Sequence, residues 1–166
     1  MKAIILSTVA FAMILVGAVA VASAQDHRCS KPGLTGAWAY TETGTVVPPA
    51  ASGQPPVLAV AVGRYDFDSA GNFTGTQYSS AGGAVSADTK IGTYELSPDC
   101  TGTLTISIYD ESGMTLKRTS VWAIVLADNA TEFRGIMLSM QFPNGTPLSP
   151  IMSITGKRLF RDRGVE

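Results

Sequence analysis

Tyr40, Glu42 and Arg158 are polar side chains that this chain places among bulky apolar neighbours on strand-like runs. Along the run Leu34–Val47, period-2 alternation puts Gly36, Trp38, Tyr40 and Glu42 on one face and Ala37, Ala39, Thr41 and Thr43 on the other. Near the C-terminal end the same rule groups Arg158 with Met152 and Ile154. An inward carboxylate is costly unless it is hydrogen-bonded or paired, so Glu42, Tyr40 and an arginine could together make a polar handle for a ligand head group. The plainer reading, and the favoured one, places Glu42 beyond a barrel rim, in water.

Other arrangements offer less chemistry. His27 is the only histidine, and it lies close to the N-terminus. A Ser-His-Asp or Cys-His site would have to recruit it from there. Zinc needs three or four His, Cys or carboxylate ligands, and with one histidine and two cysteines no metal site is expected. Asp66 and Asp68 share a strand face about 6.5–7 Å apart, a spacing that suits an acid/base pair or part of a calcium site. Ala70 occupies a position where a calcium loop needs a ligand, so the two aspartates are read as a solvated hairpin flank. Three sequons, beginning at Asn72, Asn129 and Asn144, each pair a turn asparagine with a strand threonine, which turn chemistry explains without sugar.

The N-terminus points to export. Lys2 is followed by an apolar run from Ala3 to Val21 and then by Ala22-Ser23-Ala24, the small-x-small pattern of a signal peptide, with cleavage expected before Gln25. Residues 1–24 are therefore assigned as a leader and 25–33 as a lead segment. Residues 34–160 form the domain and 161–166 a tail. The leader holds one of the 12 basic residues and none of the 13 acidic ones, so the mature balance is about −2. No basic face interleaved with aromatics is present, which argues against nucleic acid, and no membrane association is expected once the leader is cleaved. In an oxidising compartment Cys29 and Cys100 most simply pair with each other.

What must position these residues is a meander. After the first strand a connection rich in Pro, Gly and Ala, Pro48 to Pro56, serves either as a lid over an open mouth or as a spacer. From Val57 onward strand-like runs alternate with turns built from Gly, Asn and Asp. The runs are Val57–Asp68, Phe73–Ser80, Val85–Leu96, Thr101–Asp110, Met114–Ala127, Thr131–Phe142 and Leu148–Phe160. With the first strand that makes about eight. No helix is long enough to cover a sheet, so closure into one antiparallel up-and-down barrel removes the exposed edges; the alternative is a two-sheet sandwich, whose Greek-key crossovers need longer connections than most of these turns allow. Tyr65 and Phe67, then Leu104, Ile106 and Ile108, then Leu116, Trp122, Ile124 and Leu126, and finally Ile136, Leu138 and Met140 form the expected lumen faces. Met114, Met137, Met140 and Met152 all fall in the last three of these runs, where flexible thioethers fill irregular cores or line an adaptable cavity.

Gly36-Ala37-Trp38 on the first strand resembles the G-x-W of lipocalin-type barrels of the calycin group. Thr131-Glu132-Phe133, entering the seventh strand, is similar to that family's T-D-Y, and Arg158 matches the arginine that packs across its tryptophan. The phrasing Gly92 to Thr103 also resembles small exported bacterial proteins similar to allene oxide cyclase and dirigent-type barrels. Both resemblances imply an eight-stranded barrel. The expectation is an exported, all-β, lipocalin-like protein, with no cofactor, that takes a small apolar or amphipathic ligand. The candidate lumen residues are Trp38, Tyr40, Glu42, Tyr65, Phe67, Trp122, Met140 and Arg158. The alternatives are a cyclase or dirigent-type enzyme using Tyr40, Glu42 and Tyr65, and a filled module with no ligand. No feature of the chain sets an oligomeric state.

Overall fold

The computed structural model describes residues 29–49 and 52–159. The expected leader, its cleavage point, His27 and the tail lie outside the described residues. Eight strands follow in chain order: β1 (Gly36–Val47), β2 (Val57–Phe67), β3 (Asn72–Ala81), β4 (Ala84–Leu96), β5 (Thr101–Asp110), β6 (Leu116–Ala127), β7 (Glu132–Gln141) and β8 (Pro147–Arg158). Each pairs antiparallel with its sequence neighbours, and β1 also pairs with β8, closing the barrel. A sheet closed this way has no edge left to protect.

The first strand is shorter than its run in the sequence. Pro32 sits in the first turn of a helix, α1 (Lys31–Leu34), so Leu34 packs as a helical plug residue and not as part of β1. Gly36, with φ at +117°, makes the sharp exit from plug to strand, a backbone angle that side-chain-bearing residues rarely adopt. Met114 likewise leaves the strand it was expected to join. It lies in the β5–β6 turn, 85% exposed, because Asp110 accepts hydrogen bonds from the backbone N–H groups of Met114 and Thr115 and holds the turn open to that point.

Two bulges break the alternation. Between β5 and β6 the register steps from Ile108 opposite Arg118 to Tyr109 opposite Leu116, leaving Lys117 as an extra residue. On β7 the register breaks again between Ile136 and Met140. The β7 break corrects one expected lumen face: Phe133, Met137 and Met140 are buried, whereas Ile136 and Leu138 point outward, 59% and 56% exposed. Strict alternation would have put Ile136, Leu138 and Met140 together, and the bulge is what flips the set.

Inside the barrel, aromatic rings lie over glycines on the neighbouring strand. Tyr65 faces Gly75, Phe73 faces Gly92 and Phe133 faces Gly156 across the ladders. A Cβ built on Gly156 would come within 2.2 Å of the Phe133 ring, so the ring occupies the space that the glycine leaves. Cys29 and Cys100 form a disulfide across 71 residues that ties the plug segment to the β4–β5 turn.

Candidate functional site

The lumen divides into a packed floor and a hollow upper half. At the floor Trp38 is fully buried, and its indole N–H donates to the Leu34 carbonyl at 2.8 Å. Arg158 lies across the indole face, 4.6 Å from the ring to its guanidinium carbon. That guanidinium donates to the carbonyls of Gly33 and Thr35, and to Ala130 at 3.4 Å, so one side chain ties the plug to the β6–β7 turn. Trp38, Phe67, Phe73, Tyr94 and Phe133 form a continuous set of tilted and edge-to-face ring contacts. Each such pair adds about 0.5–1.5 kcal/mol beyond the area it buries.

Above the floor Tyr40 and Tyr65 stack with centroids 4.0 Å apart. Their burial, with Glu42 close by, raises both phenols far above the ordinary tyrosine range. Resting on them is an ionic layer. Lys90, on β4, is fully buried, and its Nζ donates to Glu42 Oε1 at 2.6 Å and to the Tyr65 hydroxyl at 3.1 Å, while sitting 4.7 Å from the Tyr40 ring centroid. Burial pulls the Lys90 ammonium below its usual range, and the Glu42 carboxylate opposes that pull. Glu42 is 6% exposed, so the carboxylate expected in water beyond the rim lies inside, where Lys90 supplies the charge that makes its burial tolerable.

The layer continues through Gln77. Its Oε1 accepts from Tyr40 at 3.3 Å and its Nε2 donates to Asp88 Oδ2 at 2.8 Å. Ser79 and Ser86 donate to the same carboxylate oxygen at 3.4 and 3.5 Å, and Lys117 donates to Asp88 Oδ1 at 2.5 Å. Burial alone would raise the Asp88 carboxyl, but the bonds from Lys117 and Gln77 and the nearby Arg118 charge together hold it below the usual carboxylate range. Among the described residues no buried side-chain nitrogen or oxygen lacks a hydrogen-bond partner.

Over this layer opens a cavity of about 510 Å³. Its walls are Val46, Ala59, Ile108, Met137, Met140, Leu148 and Met152, its polar groups are Glu42, Gln77, Ser79, Ser86 and Arg118, and Pro48, Pro49 and Gln54 lie at its mouth. That volume falls in the range of pockets that enclose a small organic molecule, and apolar walls with a few convergent polar groups are the usual composition of such pockets. Of the eight candidates named from the sequence, Glu42 and Met140 line the cavity. Trp38, Phe67 and Arg158 build the floor, Tyr40 and Tyr65 form the stacked pair beneath Glu42, and Trp122 is buried with its indole N–H donating to Ser120 at 3.1 Å. Lys90, Asp88, Lys117, Arg118 and Gln77 were not singled out from the sequence. Ser86, Asp88 and Lys90 alternate along β4 as a polar face, which reads as solvent-facing until the ladder turns it inward.

Asp66 and Asp68 stay on the surface. Asp66 accepts from Arg64 at 2.7 Å, and Asp68 accepts from the backbone N–H groups of Ala70 and Asn72 at the hairpin turn. Among the described residues no three His, Cys, Asp or Glu side chains come together as a metal-binding group.

No protein-family model matches this chain, and no curated protein is similar to it in sequence. Among solved structures it is similar to a redesigned β-barrel, mFAP1, determined bound to DFHBI. The two share 15% identity over 78% of this chain and 99% of that one, with a TM-score of 0.48.

Proposed function

We propose that this protein is an exported, lipocalin-like carrier that holds one small apolar or amphipathic molecule in the upper half of its barrel. The observation that carries this reading is the cavity itself: about 510 Å³ of apolar-walled space above a fully satisfied polar layer. A barrel built only for stability would close that space with side chains, because interiors pack to crystal-like density. Here the upper positions hold small residues, Ala59, Ala61, Ser79 and Ala81, and flexible methionines, which leave room and adapt to what enters.

The chemistry of the walls defines what fits. An apolar body would lie against Met137, Met140 and Met152, and a polar end would meet Glu42, Gln77 or Arg118. Tyr40 and Tyr65 are covered by Glu42 and Lys90, so they shape the layer below the ligand.

A neutral naphthylamine dye, fluorescent in apolar surroundings, tests this directly. It should bind saturably with one site per chain, and Ala61→Phe, which puts a ring into the cavity beside Glu42, should weaken it by about tenfold or more while the protein stays folded. Absence of saturable binding, or binding indifferent to Ala61→Phe, would contradict the carrier reading.

A further inference from the structure

We infer that the molecule held in the cavity is an amphipathic monoanion whose carboxylate docks on Arg118, an inference that rests on the carrier reading above. The argument starts from the charges that face the lumen. In the layer beneath the cavity Glu42 and Asp88 are the carboxylates and Lys90, Lys117 and Arg118 the cations that reach them; Asp110, opposite Asp88, is bonded into the β5–β6 turn, and Arg158 lies in the floor. Glu42 and Lys90 pair one to one at 2.6 Å. Asp88 is left facing two cations, so this layer carries one positive charge more than it cancels.

Local backbone geometry produces that surplus. Lys117 and Arg118 are consecutive, and in a regular strand they would point to opposite faces. The β6 bulge inserts Lys117 as the extra residue and re-aims it, so that both side chains approach the same carboxylate. The two do not share the work equally. Lys117 holds Asp88 at 2.5 Å, and Gln77, Ser79 and Ser86 complete its coordination. Arg118 stands off at 3.5 Å, on the cavity wall, with a quarter of its side chain exposed. Asp88 is thus satisfied without Arg118, whose planar fork of N–H donors is positioned to pair with a second carboxylate.

The sign of the surplus selects the ligand. A monoanion neutralises it. A cation adds to it, and a neutral alcohol leaves the guanidinium with only its 3.5 Å approach to Asp88. Ile108 stands opposite Arg118, and Met140 and Met137 line the wall on its floor side, where they suit an alkyl or alicyclic body.

The experiment compares decanoate, decanol and decylamine by calorimetry on the delipidated protein, in wild type, Arg118→Met and Arg118→Lys, with folding of each variant checked by its thermal melt. Wild type should prefer decanoate over decanol by about tenfold or more, and over decylamine by more than that. Arg118→Met should bring decanoate down to the level of decanol and leave decanol unchanged. Arg118→Lys, which keeps the charge and loses the fork, should fall between. Equal binding of acid and alcohol in wild type, tighter binding of the amine, or a decanoate affinity unmoved by Arg118→Met would overturn the head-group assignment while leaving a luminal binding site in place. Failure of all three compounds to bind would overturn the carrier reading together with it.

Discussion

At the scale of single residues the layer beneath the cavity is built on a buried ion pair. Lys90 and Glu42 are buried partners, and removing one leaves the other without compensation. Lys90→Met should cost about 3–5 kcal/mol in urea unfolding, and Lys90→Met combined with Glu42→Leu should recover a large share of the loss. A double variant no more stable than Lys90→Met alone would show that the two side chains act independently. Alternation identified which residues share a face with Trp38 but not whether the polar end of that face is wet. Glu42 belongs to the interior only because Lys90 arrives from β4, and a contact between residues 48 positions apart has no local signature. Arg158 was legible, because a strand motif and a tryptophan pointed to it. Lys117 and Arg118 were not, because a bulge defeats the period on which a reading of strands depends.

At the scale of elements, strands and turns were legible almost throughout. Apolar runs end where Gly, Asn and Asp supply hairpin angles, and seven of the expected runs match β2 to β8 to within two residues at each end. The plug α1 was missed. Four residues carry no periodicity, and its stability comes from contacts: Trp38 and Arg158 bonding its carbonyls, and the disulfide beside it. Packing between strands relies on rings filling the space over glycines, a long-range match that only the register reveals. Gly156→Ala tests it. The added methyl would meet the Phe133 ring at 2.2 Å, so the variant should lose about 1–3 kcal/mol of stability, read from its urea midpoint. An unchanged midpoint would mean that the floor is loosely packed.

At the scale of the whole molecule the barrel is a filled lower half supporting a hollow upper one. The floor is closed by large rings, a plug and a disulfide, and the upper half is lined by small residues and methionines. Between them the ionic layer gives a polar surface to what would otherwise be an apolar pit. The closed meander was legible because eight runs with short turns leave few other ways to hide the edges. Hollowness was not, since small residues and methionines serve filled and empty barrels alike. The methionines supply the most direct test. Met137, Met140 and Met152 line the cavity, and Met114 stands in the β5–β6 turn, 85% exposed. With methyl-labelled methionine, titration of the neutral dye should move the three cavity methyl resonances together to saturation at one equivalent and leave Met114 in place. Movement of Met114 without the other three, or no movement of any of these methyls at a concentration where the dye is bound, would place the ligand on the outside and contradict a hollow carrier.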